Sequence, residues 1–256
     1  MVGCEAGHRF DVARQGYVPL LGSRARIDTG DDARMVAARA EFLFGGWYAP
    51  VADAVAVAAG EAAADAGGGA PVVEVGAGTG YYLAAARGDR RGLAIDASRY
   101  ALRRAARQPG LAAVLADAWA PLPVADGLAA AVLSVFAPRD PAELVRITGP
   151  GGRIVVVTPE SDHLAELRGP LPLLAVDAGK AVRVVQAFAG LPVTPLQTRA
   201  VRYPMALSRA AVTNLVAMGP TARHLDAAAL GRAVSGLDEP VVTTVSVTVT
   251  TLARHG

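Results

Sequence analysis

Three carboxylates and three glycines form the pattern in this chain most capable of chemistry. Glu74 precedes a Gly-x-Gly-x-Gly run at Gly76, Gly78 and Gly80, with Thr79 inside it; Asp96 and Asp117 each close a later apolar run. A glycine turn between strand and helix lets the backbone approach a ligand and leaves helix N–H groups free. The dinucleotide fingerprint would require glycine at position 81, which is Tyr81. An acid ahead of the turn suits a ligand with an ammonium group better than a pyrophosphate. The amino group of a methionine moiety carries that charge, which points to S-adenosylmethionine. Asp96 is then placed to accept from ribose hydroxyls and Asp117 from an adenine amino group. Any one of these acids alone would equally fit a solvated loop, and Asp96 alone would also fit an NAD site.

The elements that must position these residues alternate. Val72–Val75, Gly92–Asp96, Ala113–Asp117, Ala129–Val135 and Gly152–Val157 read as strands, separated by helical stretches at Tyr81–Arg87, Arg99–Arg107 and Pro141–Thr148. That order predicts βαβ units, right-handed crossovers and a mostly parallel sheet with the acids along its carboxyl edge. Upstream, Asp31-Asp32 starts a helix through Met35, Ala38, Phe42 and Leu43, which Gly45-Gly46 stops; a second runs from Val51 to about Ala64. Downstream, the sequence predicts a helix over His163–Leu167, a strand near Thr198–Pro204 and a helix over Arg209–Met218. Val241–Leu252 alternates Val with Thr or Ser, which predicts an edge or hairpin strand with one wet face. The Gly-rich stretch 67–69 divides an N-terminal module, 1–66, from a catalytic domain, 67–256.

Of the 256 residues 52% are hydrophobic and 19% charged, a globular composition that excludes extended disorder. Lys180 is the only lysine, and the net charge of +2 permits a polyanionic partner without requiring one. A single cysteine, Cys4, excludes an internal disulfide and fits a reducing compartment. With no signal-like segment and no long uncharged apolar run, the expectation is a cytoplasmic protein without a membrane span.

The N-terminal string Cys4-x-x-Gly7-His8-x-Phe10-Asp11-x-Ala13-x-x-Gly16-Tyr17-Val18 is distinctive. Further elements are Gly30-Asp31, Met35, Ala38-Arg39, Phe42-Leu43, Gly46, Tyr48 and Pro50, then the loop Gly76–Tyr82. Phe136-Ala137-Pro138, Thr158-Pro159, His163-Leu164, Glu166-Leu167 and Tyr203-Pro204-Met205 complete the set. Together these resemble the 23S rRNA (guanine-N1)-methyltransferases, which include macrolide-resistance enzymes. The resemblance implies a class I S-adenosylmethionine-dependent methyltransferase fold: a Rossmann-like, seven-stranded α/β sheet with a small N-terminal RNA-recognition module, assembled as a homodimer. It implies Tyr48, Thr79-Gly80 and His163 against the cofactor, and as substrate the N1 of a guanine in a 23S rRNA hairpin loop near the peptide exit tunnel, with macrolide resistance as a role. Relatives hold zinc with a Cys-x-x-Cys pair and a Cys-x3-His pair. Only the second is present, as Cys4 and His8, and structural zinc wants four ligands, so a zinc-free module is expected.

The target base must be unstacked or flipped to be reached. Asp31 and the backbone of Phe136-Ala137-Pro138 are candidates to face it, Tyr17 or Trp47 to stack on it, and Arg24, Arg26, Arg34 and Arg39 to meet phosphates. A helix start for Asp31, core packing for Tyr17 and Trp47, and a solvated face for the arginines are the structural alternatives. The reduced N-terminal module motivates another reading, a small-molecule methyltransferase of secondary metabolism.

Overall fold

The computed structural model describes residues 1–5, 7–21, 30–63, 69–171, 173, 177, 179–219, 221–222 and 226–255. It opens with a small antiparallel hairpin, β1 (Val2–Gly3) and β2 (Arg9–Phe10), followed by β3 (Tyr17–Pro19) and two helices, α1 (Ala33–Phe44) and α2 (Ala49–Ala63). Asp32 starts α1 by accepting the Met35 amide at 2.9 Å, and Met35, Ala38 and Phe42 bury one face of it. The helix ends where Gly45 donates to the Glu41 and Phe42 carbonyls and Gly46 adopts φ 78°. A side chain at Gly45 would collide with the ring of Trp47, which stacks on Phe42 at 5.1 Å. This stop is what delivers Tyr48 to the interior.

The alternating part follows as β4 (Val72–Val75), α3 (Tyr81–Ala86), β5 (Gly92–Asp96), α4 (Arg99–Ala105), β6 (Leu111–Leu115), β7 (Ala129–Val135), α5 (Pro141–Ile147) and β8 (Thr148–Pro159). Then come a single 3-10 turn (Ala165–Leu167), α6 (Lys180–Ala187), β9 (Val193–Leu207), α7 (Arg209–Ala217), α8 (Ala227–Ser235) and β10 (Val241–Arg254). The main sheet runs β3-β6-β5-β4-β7-β8-β10-β9; β10 is antiparallel to both β8 and β9, and the remaining pairings are parallel.

Two apolar layers sandwich this sheet. Val72, Leu133, Val155 and Val157 face a layer with residues of α1 to α4, α7 and α8; Val73, Val75, Val132, Ile154 and Val156 face one built with α5 and α6. Among the described residues no single helix is long and apolar enough to cross a membrane.

The structure departs from the sequence expectations in four places. The sheet has eight strands rather than seven, because Tyr17–Pro19 adds a parallel edge beside Ala113–Leu115. β10 is not an edge: it lies between β8 and β9, and most of its Thr and Ser face is buried rather than wet, at Ser246, Thr248 and Thr250, with Thr248 bonded to Glu160 and half-buried Thr244 bonded to Glu166. His163 sits in a turn before the 3-10 segment, not at the start of an α-helix. Finally, α6 and α8 were not anticipated, and β9 is longer than its predicted strand.

Candidate active site

A cavity of about 970 Å³ opens at the carboxyl ends of the parallel strands, within the range of small-molecule and cofactor sites. It lies where β4 and β7 part, the point at which strand order reverses and open α/β sheets bind ligands. Gly76, Ala77, Gly78 and Thr79 form one wall and Phe136, Ala137, Pro138 and Arg139 another. Gly76 has φ 75°, and a Cβ there would stand 2.4 Å from the Cβ of Ala137. Glycine at 76 therefore sets how closely the two walls approach.

Asp96 lines the cavity with both carboxylate oxygens engaged: the Gly78 amide donates to one and the Ser98 amide to the other, each at 2.7 Å. Burial raises its pKa while these two amides pull it back down. Each oxygen retains a lone pair for a hydroxyl donor. Asp117, also on the wall, accepts the Trp119 amide at 3.0 Å. Asp31 lines the cleft too, ion-paired with Arg39, whose guanidinium also donates to the Met218 carbonyl at 2.9 Å. Asp31 is therefore not the residue that caps α1.

Glu74 and Gly80 are not among the lining residues. Strand alternation turns Glu74 to the face of Val72, beneath α3, where its carboxylate accepts the Leu83 amide at 3.0 Å. Burial holds its pKa well above the carboxylate range. It braces the loop and α3 from below. Gly80 faces Leu111 and Ala105, where a side chain would clash.

On the other side of the cleft Tyr48 and His163 are both buried, with Tyr48 Oη 3.2 Å from His163 Nε2. The Ser246 amide donates to His163 Nδ1 at 3.1 Å, which makes that nitrogen an acceptor. Burial lowers the His163 pKa to about 4, so the ring is neutral at pH 7. A neutral ring accepting at Nδ1 carries its proton on Nε2 and donates it to Tyr48 Oη. Burial raises the Tyr48 pKa above the ordinary tyrosine value, so its hydroxyl keeps its own proton for an acceptor in the cleft.

Phe136 stands among these rings, stacked on His163 at 6.1 Å and 6.0 Å and 6.3 Å from Tyr48 and Tyr82. Its side chain is 38% exposed and its backbone has φ 54°; Leu164, next to His163, has φ 56°. These are the two non-glycine residues with positive φ among the described residues. Such strain persists only where surrounding structure imposes it.

Cationic side chains on the cleft wall went unnoticed in the sequence: Arg139, Arg168, Lys180 and Arg183. The position of Arg139 directly after Phe136-Ala137-Pro138 was the available signal. Of the earlier candidates, Arg34 is exposed, Tyr17 is buried in β3 and Trp47 packs on Phe42. Arg24 and Arg26 lie outside the described residues. Cys4 Sγ is 3.3 Å from His8 Nδ1 on the exposed hairpin. Among the described residues no group of three or more His, Cys, Asp or Glu could hold a metal, so a zinc site is not complete there.

No family model matches the chain. It is 45% identical to a protein of Micromonospora griseorubida named as a 23S rRNA (guanine-N1)-methyltransferase, over 98% of this chain and 89% of that one. It is also 45% identical to the 23S rRNA (guanine(748)-N1)-methyltransferase of Streptomyces fradiae, over 96% and 89% of the two chains. Among solved structures, a methyltransferase from Bacillus halodurans superposes with a TM-score of 0.55 at 12% identity, covering 79% of this chain and 99% of that one. Geranyl diphosphate methyltransferase in complex with S-adenosylmethionine gives 0.52 at 16%, covering 90% and 93%. These two likenesses show the fold. With a seven-stranded core extended by β3, a glycine loop after β4 and acids at the ends of β5 and beyond β6, the fold is that of a class I S-adenosylmethionine-dependent methyltransferase, and the chain belongs to the 23S rRNA (guanine-N1)-methyltransferase family.

Proposed function

We propose that this protein methylates N1 of a guanine in a 23S rRNA hairpin loop near the peptide exit tunnel, as a cytoplasmic homodimer, and that the modification confers macrolide resistance. The observation that carries the reading is a single cleft in which a cofactor-type wall, Gly76–Thr79 with Asp96 and Asp117, faces a partly exposed aromatic ring, Phe136.

S-adenosylmethionine supplies an electrophilic methyl on a sulfonium. Asp96 holds the ribose hydroxyls while the Gly78 and Ser98 amides fix its rotamer. Asp117 receives the adenine amino group. Tyr48, oriented by His163 and Ser246, offers its hydroxyl proton to an acceptor on the bound cofactor. His163 is a positioning residue rather than the acceptor of the guanine N1 proton, because both its ring nitrogens are already engaged. Phe136, held among Tyr48, Tyr82 and His163, gives the flipped guanine a stacking face.

The test is methyl transfer from labelled cofactor to ribosomal RNA of a strain lacking the enzyme, with mass mapping of the product. Label in 23S rRNA as N1-methylguanine is expected. Unlabelled rRNA, or label confined to a low-molecular-weight metabolite, overturns the reading. Light scattering tests the dimer, fractionation the compartment, and expression in a macrolide-sensitive host the resistance role.

A further inference from the structure

The ionic side chains of the cleft sort by strand. Its acids, Asp31, Asp96 and Asp117, gather over β5 and β6. Its cations other than Arg39 lie on the opposite half: Arg139 after β7, Arg168 after β8 and donating to the His163 carbonyl at 2.7 Å, and Lys180 and Arg183 on α6, which packs on β8 and β10. No acid among the described lining residues belongs to that half.

Arg139 contrasts with the half-buried arginines that have found a partner: Arg87 and Arg103 also bury an Nε without one, but Arg87 donates to the Arg90 carbonyl and Arg103 lies over the Tyr100 ring. Arg39 is paired with Asp31, and Arg146 with Glu143 and Asp126. Arg139 has no hydrogen-bond or ion-pair partner among the described residues, and its Nη1 is fully buried without one. Burial lowers its pKa, as expected of a guanidinium partly withdrawn from water with no partner in exchange. A bound anion would offset that cost, and guanidinium is well suited to phosphate.

We propose that Arg139 anchors a backbone phosphate flanking the target guanine, so that the nucleotide enters with its base on Phe136 and its phosphate on the cationic half. This rests on the RNA reading above. The other anion available is the cofactor's own carboxylate. The phosphate is favoured because the cofactor already has the glycine loop, Asp96 and the Tyr48 hydroxyl for its polar groups, whereas Arg139 is three residues beyond Phe136, the stacking face for the base.

The experiment measures binding of a transcript of the target hairpin across a salt series, with calorimetry of S-adenosylmethionine in parallel. For R139A and R139Q, affinity should fall about ten-fold and the slope of log K against log salt should flatten by about 0.7, the value for one phosphate contact on single-stranded RNA. Cofactor affinity should stay within about two-fold, and R139K should keep most of the slope. Neutral methylphosphonate linkages flanking the guanine should weaken the unmutated protein similarly and add nothing in R139A, a readout that does not depend on a variant's folding. Indifference of the unmutated protein to those linkages overturns the proposal, as does an unchanged slope in both variants. Loss of cofactor affinity instead assigns the anion to the cofactor carboxylate and also overturns it. If the unmutated protein methylates rRNA normally while any of these occurs, only the anchor falls. If it neither binds nor methylates the RNA, the functional reading falls with it.

Discussion

The two halves of the cleft differ in how complete they are without a ligand. Over β4 to β6, Asp96 has an amide on each oxygen, Asp117 and Glu74 each hold an amide, and Arg39 is paired with Asp31. Over β7 and β8, Phe136 and Leu164 hold strained backbones, while Thr158 Oγ1 and Arg139 Nη1 are buried without partners. A half finished in advance suits a ligand that is the same at every turnover. A half with unmet polar groups and strain suits a ligand that completes it.

The largest test of this contrast is D96A. Removing the carboxylate strands the Gly78 and Ser98 amides and takes away the proposed ribose contacts with them, a loss of about 3 kcal/mol. Calorimetry should show cofactor affinity falling about 100-fold; a fall under ten-fold would mean that the finished half does not hold the cofactor.

The second test is pH. His163 titrates near 4 in the folded protein against 6.5 for the free side chain. Between those values the unfolded chain takes up a proton that the folded ring refuses, so the His163 contribution is full above about pH 6.5 and drains as pH falls toward 4, by up to about 3 kcal/mol, against an opposite trend from buried Glu74. Urea melts from pH 7 to 4 should show the unmutated protein losing stability relative to H163Q as pH falls, since H163Q keeps the Glu74 trend but not this one. A difference between the two that stays constant over that range would remove His163 as its origin.

Third, F136A acts on the unfinished half. Loss of a stacking face costs about 1 to 2 kcal/mol, so KM for RNA should rise about ten-fold while cofactor affinity stays within about two-fold. Equal loss of both would erase the distinction between the halves.

The finished half was the more legible in sequence, and the reason is local. Val72–Val75 and Gly92–Asp96 are buried strands that end in glycines or acids, so composition and punctuation give the strand, and the strand end gives the site. The unfinished half depends on distant encounters. His163 acquires its meaning from Tyr48 and Ser246, and Arg139 is notable only for the partners it lacks. The same holds for misread elements: three residues at Tyr17–Pro19 show no period, and their partner strand begins at Leu111. The Thr face of β10 resembled a wet edge because nothing nearby in sequence announces Glu160 and Glu166 as its acceptors.

Glu74 provides the smallest effect and the sharpest division of labour. Sequence logic put its charge against the ligand's ammonium; in the fold it lies beneath the loop, buried, with the Leu83 amide as its hydrogen-bond partner. Its pKa is raised in the folded state, so its contribution to stability is present below the unfolded value of 4.5 and is lost as pH rises through the folded value. E74Q keeps an oxygen for the Leu83 amide and removes the ionisation. The ligand-free variant should therefore match the unmutated protein near pH 4 and melt progressively higher than it as pH increases, by a few degrees at pH 8. Its cofactor affinity should change less than about ten-fold, well short of D96A. A 100-fold loss in E74Q would instead mean that the charge under the loop acts on the ligand through it, and the first half of the cleft would have to be redrawn with Glu74 as part of its electrostatics rather than its scaffold.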